Sequence, residues 1–465
     1  MSVHYALITD DRTHELTTTN TSNPPTPTPP TAPLTRSEQF ITAAVFLFPA
    51  LALTVPDGYS IGAVALLIAA ITHLVANRRT WAQHPPLPGA VKAVIAFMIV
   101  YALFWMGDAA LRGEGVREFD RPSRFLLAAF CLSVFARARI QQAALWLGLA
   151  VGGIGAGGLA ITQKLIEGHS RASGFAQVIQ FGNAAMLIGL MCLAGMLWSL
   201  QPQTTNPDRL RRTRRRRALL TGLMGLGALG GLTASFLSGT RGAWFALVPA
   251  LLVGLWAAVQ LGKARLYLLS GPVALAVIAT TAYFIPATGV EWRVDSAVNG
   301  AEAYFTEGQQ GHGVGVRFEI WKGAWRLFTE KPVMGWGEIG YIQRTDALGE
   351  AGVIVKRAGE FTHSHNEWLN VMAKKGLVGT TIFAGLYLTP LLCFVQVGRR
   401  SSRASRSPNN DAVVLATAGL LFTVGFMASG LTQVNFNHNI GAMLYAFMIA
   451  VLIGVSGPPL MARSS

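Results

Sequence analysis

Ala412 to Leu431 reads AVVLATAGLLFTVGFMASGL, twenty residues without a single charge. At about 1.5 Å of rise per helical residue, such a run covers roughly 30 Å, the thickness of a bilayer's hydrocarbon core. Runs of this kind recur along the whole chain. Taken at about 20 apolar residues per span, they are Phe40 to Val55, Ile61 to Ala76, Val91 to Met106, Arg124 to Phe135, Ala143 to Thr162, Phe175 to Leu200, Ala218 to Leu237, Ala243 to Leu261, Leu266 to Phe284, Leu377 to Val397, Ala412 to Leu431 and Ile440 to Val455. These spans predict an all-α polytopic integral membrane protein of about twelve helices. Composition agrees: 51% of the 465 residues are hydrophobic and 13% charged, against roughly 25% charged in soluble domains. No Asp or Glu falls inside the spans so drawn.

Charge placement orients the chain. With a cytoplasmic N-terminus, every second loop is basic: Arg78 with Arg79, Arg137 with Arg139, the run RLRRTRRRR from Arg209 to Arg217, Lys263 with Arg265, and Arg399, Arg400, Arg403 and Arg406. That alternation is what the positive-inside rule asks of short loops. The net charge of +15 therefore reads as topology and attraction to anionic membrane lipids, with no nucleic-acid partner. Both termini fall on the cytoplasmic side. Residues 1–36 are polar and then Pro/Thr-rich, without the apolar stretch of a cleavable signal peptide, and are expected to be a disordered tail. The expected organisation is this tail, nine spans over 37–285, one long periplasmic loop with amphipathic helices over 286–376, three spans over 377–457 and a short cytoplasmic tail at 458–465. Cys131, Cys192 and Cys393 each sit in an apolar run and read as small core hydrophobes.

A connection as long as the 286–376 segment is uncommon and usually functional. Inside it, VRFEIWKGAWRLFTE at Val316 to Glu330 places Phe318, Trp321, Ala324, Trp325 and Phe328 at helical spacing, as suits an amphipathic helix lying on the bundle at the membrane surface. Lys331-Pro332 should end it, and the glycine-punctuated VMGWGEIGY should form a tight loop. Then comes FTHSHNEWLNVMAKKGLVGT, Phe361 to Thr380. Titratable groups so dense beside a bilayer cost several kcal/mol unless they are paired or used, on the order of what membrane burial exacts.

By this topology Arg241 in SGTRGAW, Arg317 and the His363/His365 pair share one membrane side. Two arginines there suit a diphosphate clamp, because the guanidinium stays charged and its planar fork matches phosphate oxygens. Each arginine taken alone could equally snorkel to headgroups. With Glu367 the histidines form an HxHxE spacing, yet no further His or Cys stands at ligand spacing and His312 is remote, so no metal site is assigned. Gly376 and Gly379 would let a helix start pack closely on a neighbour, which leaves the His365-Asn366 pair upstream unexplained.

His365-Asn366, nine residues, then Gly376-Leu-Val-Gly379-Thr380 resembles the signature of the O-antigen ligase and polymerase superfamily. SGTRGAW and RFEIWKGAWRLFTEKPVMGWG resemble that family's other two blocks, and the likeness covers the membrane body from about Phe40 to Gly454. Phe383 stands where the family pattern often has a tyrosine, so no hydroxyl role is carried over there. The resemblance implies a GT-C-like, metal-independent inverting glycosyltransferase of the bacterial inner membrane with a periplasmic active site and no cofactor. Its donor would be undecaprenyl diphosphate-linked O-antigen and its acceptor a sugar hydroxyl of lipid A-core, in lipopolysaccharide biosynthesis. Arg241 and Arg317 would hold the diphosphate and stabilise charge as the glycosidic bond breaks. His365 would take the acceptor's proton; His363 and Asn366 would support it or bind acceptor, with Tyr341 and Glu367 as weaker candidates. Trp321, Trp325 and Trp336 fit either sugar stacking or interfacial anchoring.

The same signature serves O-antigen polymerases and protein O-oligosaccharyltransferases, so it points to the chemistry more firmly than to the acceptor. Ligase is favoured because all three blocks look like it and no soluble domain for a protein acceptor follows Val455. A membrane transporter is the rival of another class. Carriers usually place acidic or paired charges near the bilayer midplane, whereas here the titratable groups gather at one face.

Overall fold

Apolar runs become helices because lipid offers a backbone amide no partner outside its own chain. The computed structural model describes residues 33–200, 207–308, 313–403 and 410–457, and every α-helix or strand assigned there is a helix. In chain order the helices are α1 (Arg36–Leu51), α2 (Gly58–Ala76), α3 (Gly89–Leu111), α4 (Asp120–Phe135), α5 (Gln142–Ile161), α6 (Val178–Ser199), α7 (Pro207–Ser238), α8 (Arg241–Trp244), α9 (Leu247–Gln260), α10 (Ala264–Phe284), α11 (Val290–Thr306), α12 (Gly313–Glu330), α13 (Gly337–Glu350), α14 (Lys356–Gly359), α15 (Glu367–Arg403), α16 (Asn410–Gly430) and α17 (Asn439–Val455). Residues 1–32, the tail at 458–465, Arg406 and His312 fall outside the described residues.

Among the described residues, nine helices are long and apolar enough to cross a membrane, α8 and α9 counting together as one. The other three spans read from the sequence are shorter, α17 with 17 residues and α1 and α4 with 16 each. α1 and α4 also begin on charged residues, Arg36 with Glu38 and Asp120 with Arg121. At the centre α6, α16 and α17 are buried almost throughout, while α10 keeps most of its surface open. α5 and α7 meet backbone to backbone: a Cβ on Gly153 or Gly157 would strike Gly227 or Gly230 of the facing helix, the close approach that small residues permit between membrane helices. All three cysteines are free and buried.

One expectation is corrected at α3. The helix runs past Met106, so Asp108 lies within it, 6% exposed, bonded to Lys375 at 2.6 Å and Arg112 at 2.8 Å. Spans free of acidic residues was thus a property of boundaries drawn too short. The long segment after α10 folds as α11 to α14. α12 forms where expected but buries a different face: Val316, Ile320, Ala324 and Leu327 go inward, and Trp325 is left 52% exposed. Aliphatic residues four apart pack more closely than indoles, which pair instead along the rim, Trp321 with Phe318 and Trp325 with Phe328. VMGWGEIGY is only half a loop, since α13 starts at Gly337.

Gly376 breaks α15 in two, with φ 63° and ψ −163°. That conformation belongs to glycine, and the loop after α12 uses the gap: Leu377 N–H donates to Pro332 O at 2.7 Å and Trp336 N–H to Ala373 O at 3.0 Å. Gly376→Ala is expected to destabilise the fold by about 1–3 kcal/mol from backbone strain alone, and more because its Cβ would meet the Val333 carbonyl. A thermal melt of the detergent-solubilised protein reads this, and an unchanged midpoint would contradict it.

Candidate active site

The SGTR segment is a reversal built around small residues. α7 ends at Ser238, Gly239 turns the chain at φ 61°, and Arg241 opens α8. Arg171, from the α5–α6 connection, donates its Nε to Ser238 O at 2.7 Å and so satisfies the last carbonyl of α7. The guanidinium of Arg293, on α11, lies where a Cβ on Gly239 would be, and Gly242 makes room in the same way for Thr432. Arg317 comes from the start of α12. These four arginines line one cleft of about 450 Å³ together with Thr240, Ser296 and Thr432. Sequence position had left open whether Arg241 and Arg317 meet; they share this cleft.

No carboxylate lines the cleft, and none of the four arginines has an ion-pair partner among the described residues. Burial and then the charge of Arg241 pull the pKa of Arg317 down; burial, Arg171 and Arg241 do the same to Arg293. A guanidinium nevertheless keeps its proton at any physiological pH. Four unneutralised cations in one cleft therefore call for a multivalent anion.

A smaller pocket of about 130 Å³ adjoins it, lined by Val316, Ile320, Arg357, Phe361 and His365, with Arg317 and Gly313 common to both. His365 has φ 50°, rare for a residue with a side chain. Its Nδ1 lies 3.3 Å from Oε1 of Gln433, and its ring meets Phe361 at 5.3 Å and His363 at 4.3 Å between centroids. Burial, followed by the charge of Arg317, holds its pKa below the ordinary histidine value. His363 plays another part. Its Nδ1 accepts the backbone N–H of His365 at 3.3 Å, and burial together with His365 drives its pKa down to about 3. A ring that accepts at Nδ1 and resists protonation is a neutral brace for the turn.

The remaining candidates fall into place as supports. Asn366 accepts with Oδ1 from the N–H groups of Trp368 and Leu369, at 3.0 and 3.2 Å, and so caps α15. Glu367, 2% exposed, turns away from the histidines and accepts from Asn435 N–H and Phe436 N–H. Tyr341 corrects the expectation of a substrate contact: it is wholly buried in the apolar cluster of α12 and α13, and it lines neither pocket. Gly376, Gly379 and Thr380 shape the break in α15, Thr380 donating its hydroxyl to Gly376 O at 2.7 Å. Lys374 and Lys375 pin that break through Glu338 at 2.7 Å and Asp108 at 2.6 Å. Trp336 carries both Lys331 and Arg344 over its ring and donates its indole N–H to Leu327 O.

Reading the sequence missed Arg171, Arg293, Arg357 and Gln433. Arg171 and Arg293 lie in connections that the reading of the sequence puts, with Arg241 and Arg317, on the side opposite the basic loops. That excess of arginine against the positive-inside bias is the one signal that could have found them.

The apolar helices define a multi-pass membrane protein, with an arginine-lined cleft and a strained histidine beside it. Residues 226–384, which hold Arg241, Arg293, Arg317 and His365, match the family model described as O-antigen ligase, a match that supports an O-antigen ligase-type family. The chain is also similar to an uncharacterized protein of Haemophilus influenzae, 22% identical over 407 residues that cover 87% of this chain and 95% of that one. The family match supports activity of the O-antigen ligase and polymerase superfamily.

Proposed function

We propose that the protein transfers O-antigen from undecaprenyl diphosphate to a sugar hydroxyl of lipid A-core at the periplasmic face of the inner membrane. The observation that carries this reading is the junction at Arg317, where an anion-seeking cleft of four arginines meets the pocket of His365. The donor's diphosphate lies in the cleft, with Arg241 and Arg317 on its oxygens. The acceptor hydroxyl enters the smaller pocket beside Phe361. Its oxygen attacks the anomeric carbon and passes its proton to His365. The bond from that carbon to the phosphate oxygen breaks, undecaprenyl diphosphate departs, and one displacement inverts the centre. Charge grows on the diphosphate as the bond lengthens, and preorganised cations facing it lower the barrier by several kcal/mol, on the order of other oxyanion sites. Arginines do here what a divalent cation does elsewhere, so chelators are expected to leave the rate unchanged; inhibition that added metal reverses would count against this.

His365 must be neutral to act as a base. Because burial and Arg317 hold its pKa below the ordinary value of 6.5, it stays available as pH falls through 6.5, and transfer is expected to decline only at more acidic pH. The pH profile of kcat checks this, an acid limb above 6.5 being the contrary result. Assays of the purified protein decide the identity of the reaction, the first with an undecaprenyl diphosphate glycan and lipid A-core and no added metal, the others with a protein acceptor and with the protein reconstituted in liposomes. Glycan appearing on lipid A-core supports the ligase. Lengthening of the lipid-linked glycan itself marks a polymerase, modification of Ser or Thr in a protein marks an oligosaccharyltransferase, and solute uptake into liposomes without transfer marks a transporter.

A further inference from the structure

An imidazole can serve as a base only if its lone pair faces the substrate, and the hydrogen bond on its other nitrogen decides which nitrogen that is. For His365 the other partner is Gln433, whose Oε1 lies 3.3 Å from Nδ1. An amide oxygen only accepts, so the contact requires the proton on Nδ1 and leaves Nε2 bare. Gln433 is 2% exposed, in the turn between α16 and α17. Its Nε2 lies 3.4 Å from Nε2 of His438; an amide NH₂ only donates, so His438 accepts there. The turn itself is anchored twice. Glu367, two residues after His365, accepts the N–H groups of Asn435 and Phe436, and the Asn435 side chain bonds Ser429 at 3.0 Å and Asn183 at 3.1 Å.

We propose that Gln433 is the positioning residue of the base: it fixes the Nδ1–H tautomer and ring plane of His365 while adding no charge to the site. The inference rests on the reading of His365 as base given above. The choice of an amide over a carboxylate fits what surrounds the ring. Arg317 from α12 and Arg357 from α14 line its pocket, His363 packs on it from the same loop, and His438 stands behind Gln433. Lys374 of α15 acts on His363, and Arg121 of α4 acts on His438. Glu367, the carboxylate two residues after His365, is spent on backbone amides. Amid these cations a neutral acceptor orients the ring yet leaves it unprotonated, whereas a carboxylate would favour the imidazolium and occupy the base with a proton.

Two readouts on the purified full-length protein test this. The first is imidazole ¹⁵N NMR of histidine-labelled protein, with the His365 signals identified by their loss in His365→Ala. Wild type is expected to show His365 as the Nδ1–H tautomer at neutral pH, and Gln433→Ala a mixture of both tautomers. The second is the pH profile of transfer. Gln433→Ala should lower the plateau rate by about ten- to a hundredfold, the scale seen when the partner orienting a histidine is removed, with the donor KM unchanged. Gln433→Glu, nearly identical in shape and so safe for folding, should move the acid limb to higher pH. A wild-type His365 carrying its proton on Nε2, or an acid limb for Gln433→Glu that superimposes on that of wild type, would overturn the proposal. Absence of transfer by the wild type would count against the proposed function, and the NMR result would still decide the role of Gln433.

Discussion

His365→Ala is expected to cut transfer by about 10³-fold or more, within the range for loss of a general base, while donor binding and the yield of folded protein hold. The split follows from where the ring sits. It lines the smaller pocket and not the arginine cleft, with which that pocket shares Arg317 and Gly313, so the diphosphate contacts survive its removal. Folding should survive because the loop is held by other groups: Ser364 Oγ donates to Asn366 O at 2.7 Å, Asn366 caps α15, and Glu367 grips the α16–α17 turn. The strained φ of His365 is kept by these contacts, which is the pattern expected when strain is stored at a functional position. His363→Ala offers the contrast. That ring is buried and braces the turn through the His365 N–H, so its loss should lower the melting temperature. Kinetics of the purified His365 variant decide the matter: a raised donor KM with kcat intact would make His365 a phosphate ligand instead of a base.

The fold was legible because lipid leaves little choice. Runs such as Ala412 to Leu431 are long and apolar enough to be spans, and Asn410–Gly430 forms one of them. Boundaries were less legible, since hydropathy fades before a helix ends; Asp108 hides inside α3 because its charge is answered by Lys375, a residue 267 positions away. The candidate site was legible where its geometry is local. His365 with the Gly376 break, and the SGTR turn around Arg241, each declare themselves within a few residues. Asn366 could have been read as a cap, being an asparagine at the head of a helical run. Gln433 could not. A glutamine in a turn has no signature of its own, and its part depends on a histidine 68 positions earlier that only the packed bundle brings near. Tyr341 was misjudged for the opposite reason: an aromatic hydroxyl near a site looks available in sequence, and only packing shows it sealed.

Arg317→Ala should weaken transfer by about 10²- to 10³-fold, the usual scale for removing one charge-stabilising donor, and should do so more severely than Arg241→Ala. Both line the cleft, but Arg317 alone also lines the histidine pocket, so it is the one placed to follow charge from the bond that breaks. Lysine should rescue it poorly, because a point charge cannot reproduce a planar fork on two phosphate oxygens. A second effect separates this role from mere attraction of the donor. The charge of Arg317 is one cause of the depressed His365 pKa. Without it the imidazole binds its proton more tightly, so the acid limb of the pH profile should move upward toward the ordinary 6.5 in Arg317→Ala and stay in place in Arg241→Ala. Donor titrations and pH profiles of the two variants together test the clamp. Unchanged donor binding and rate in both would remove the arginines from the mechanism, and equal limbs in both would show that Arg317 does not join the cleft to the base.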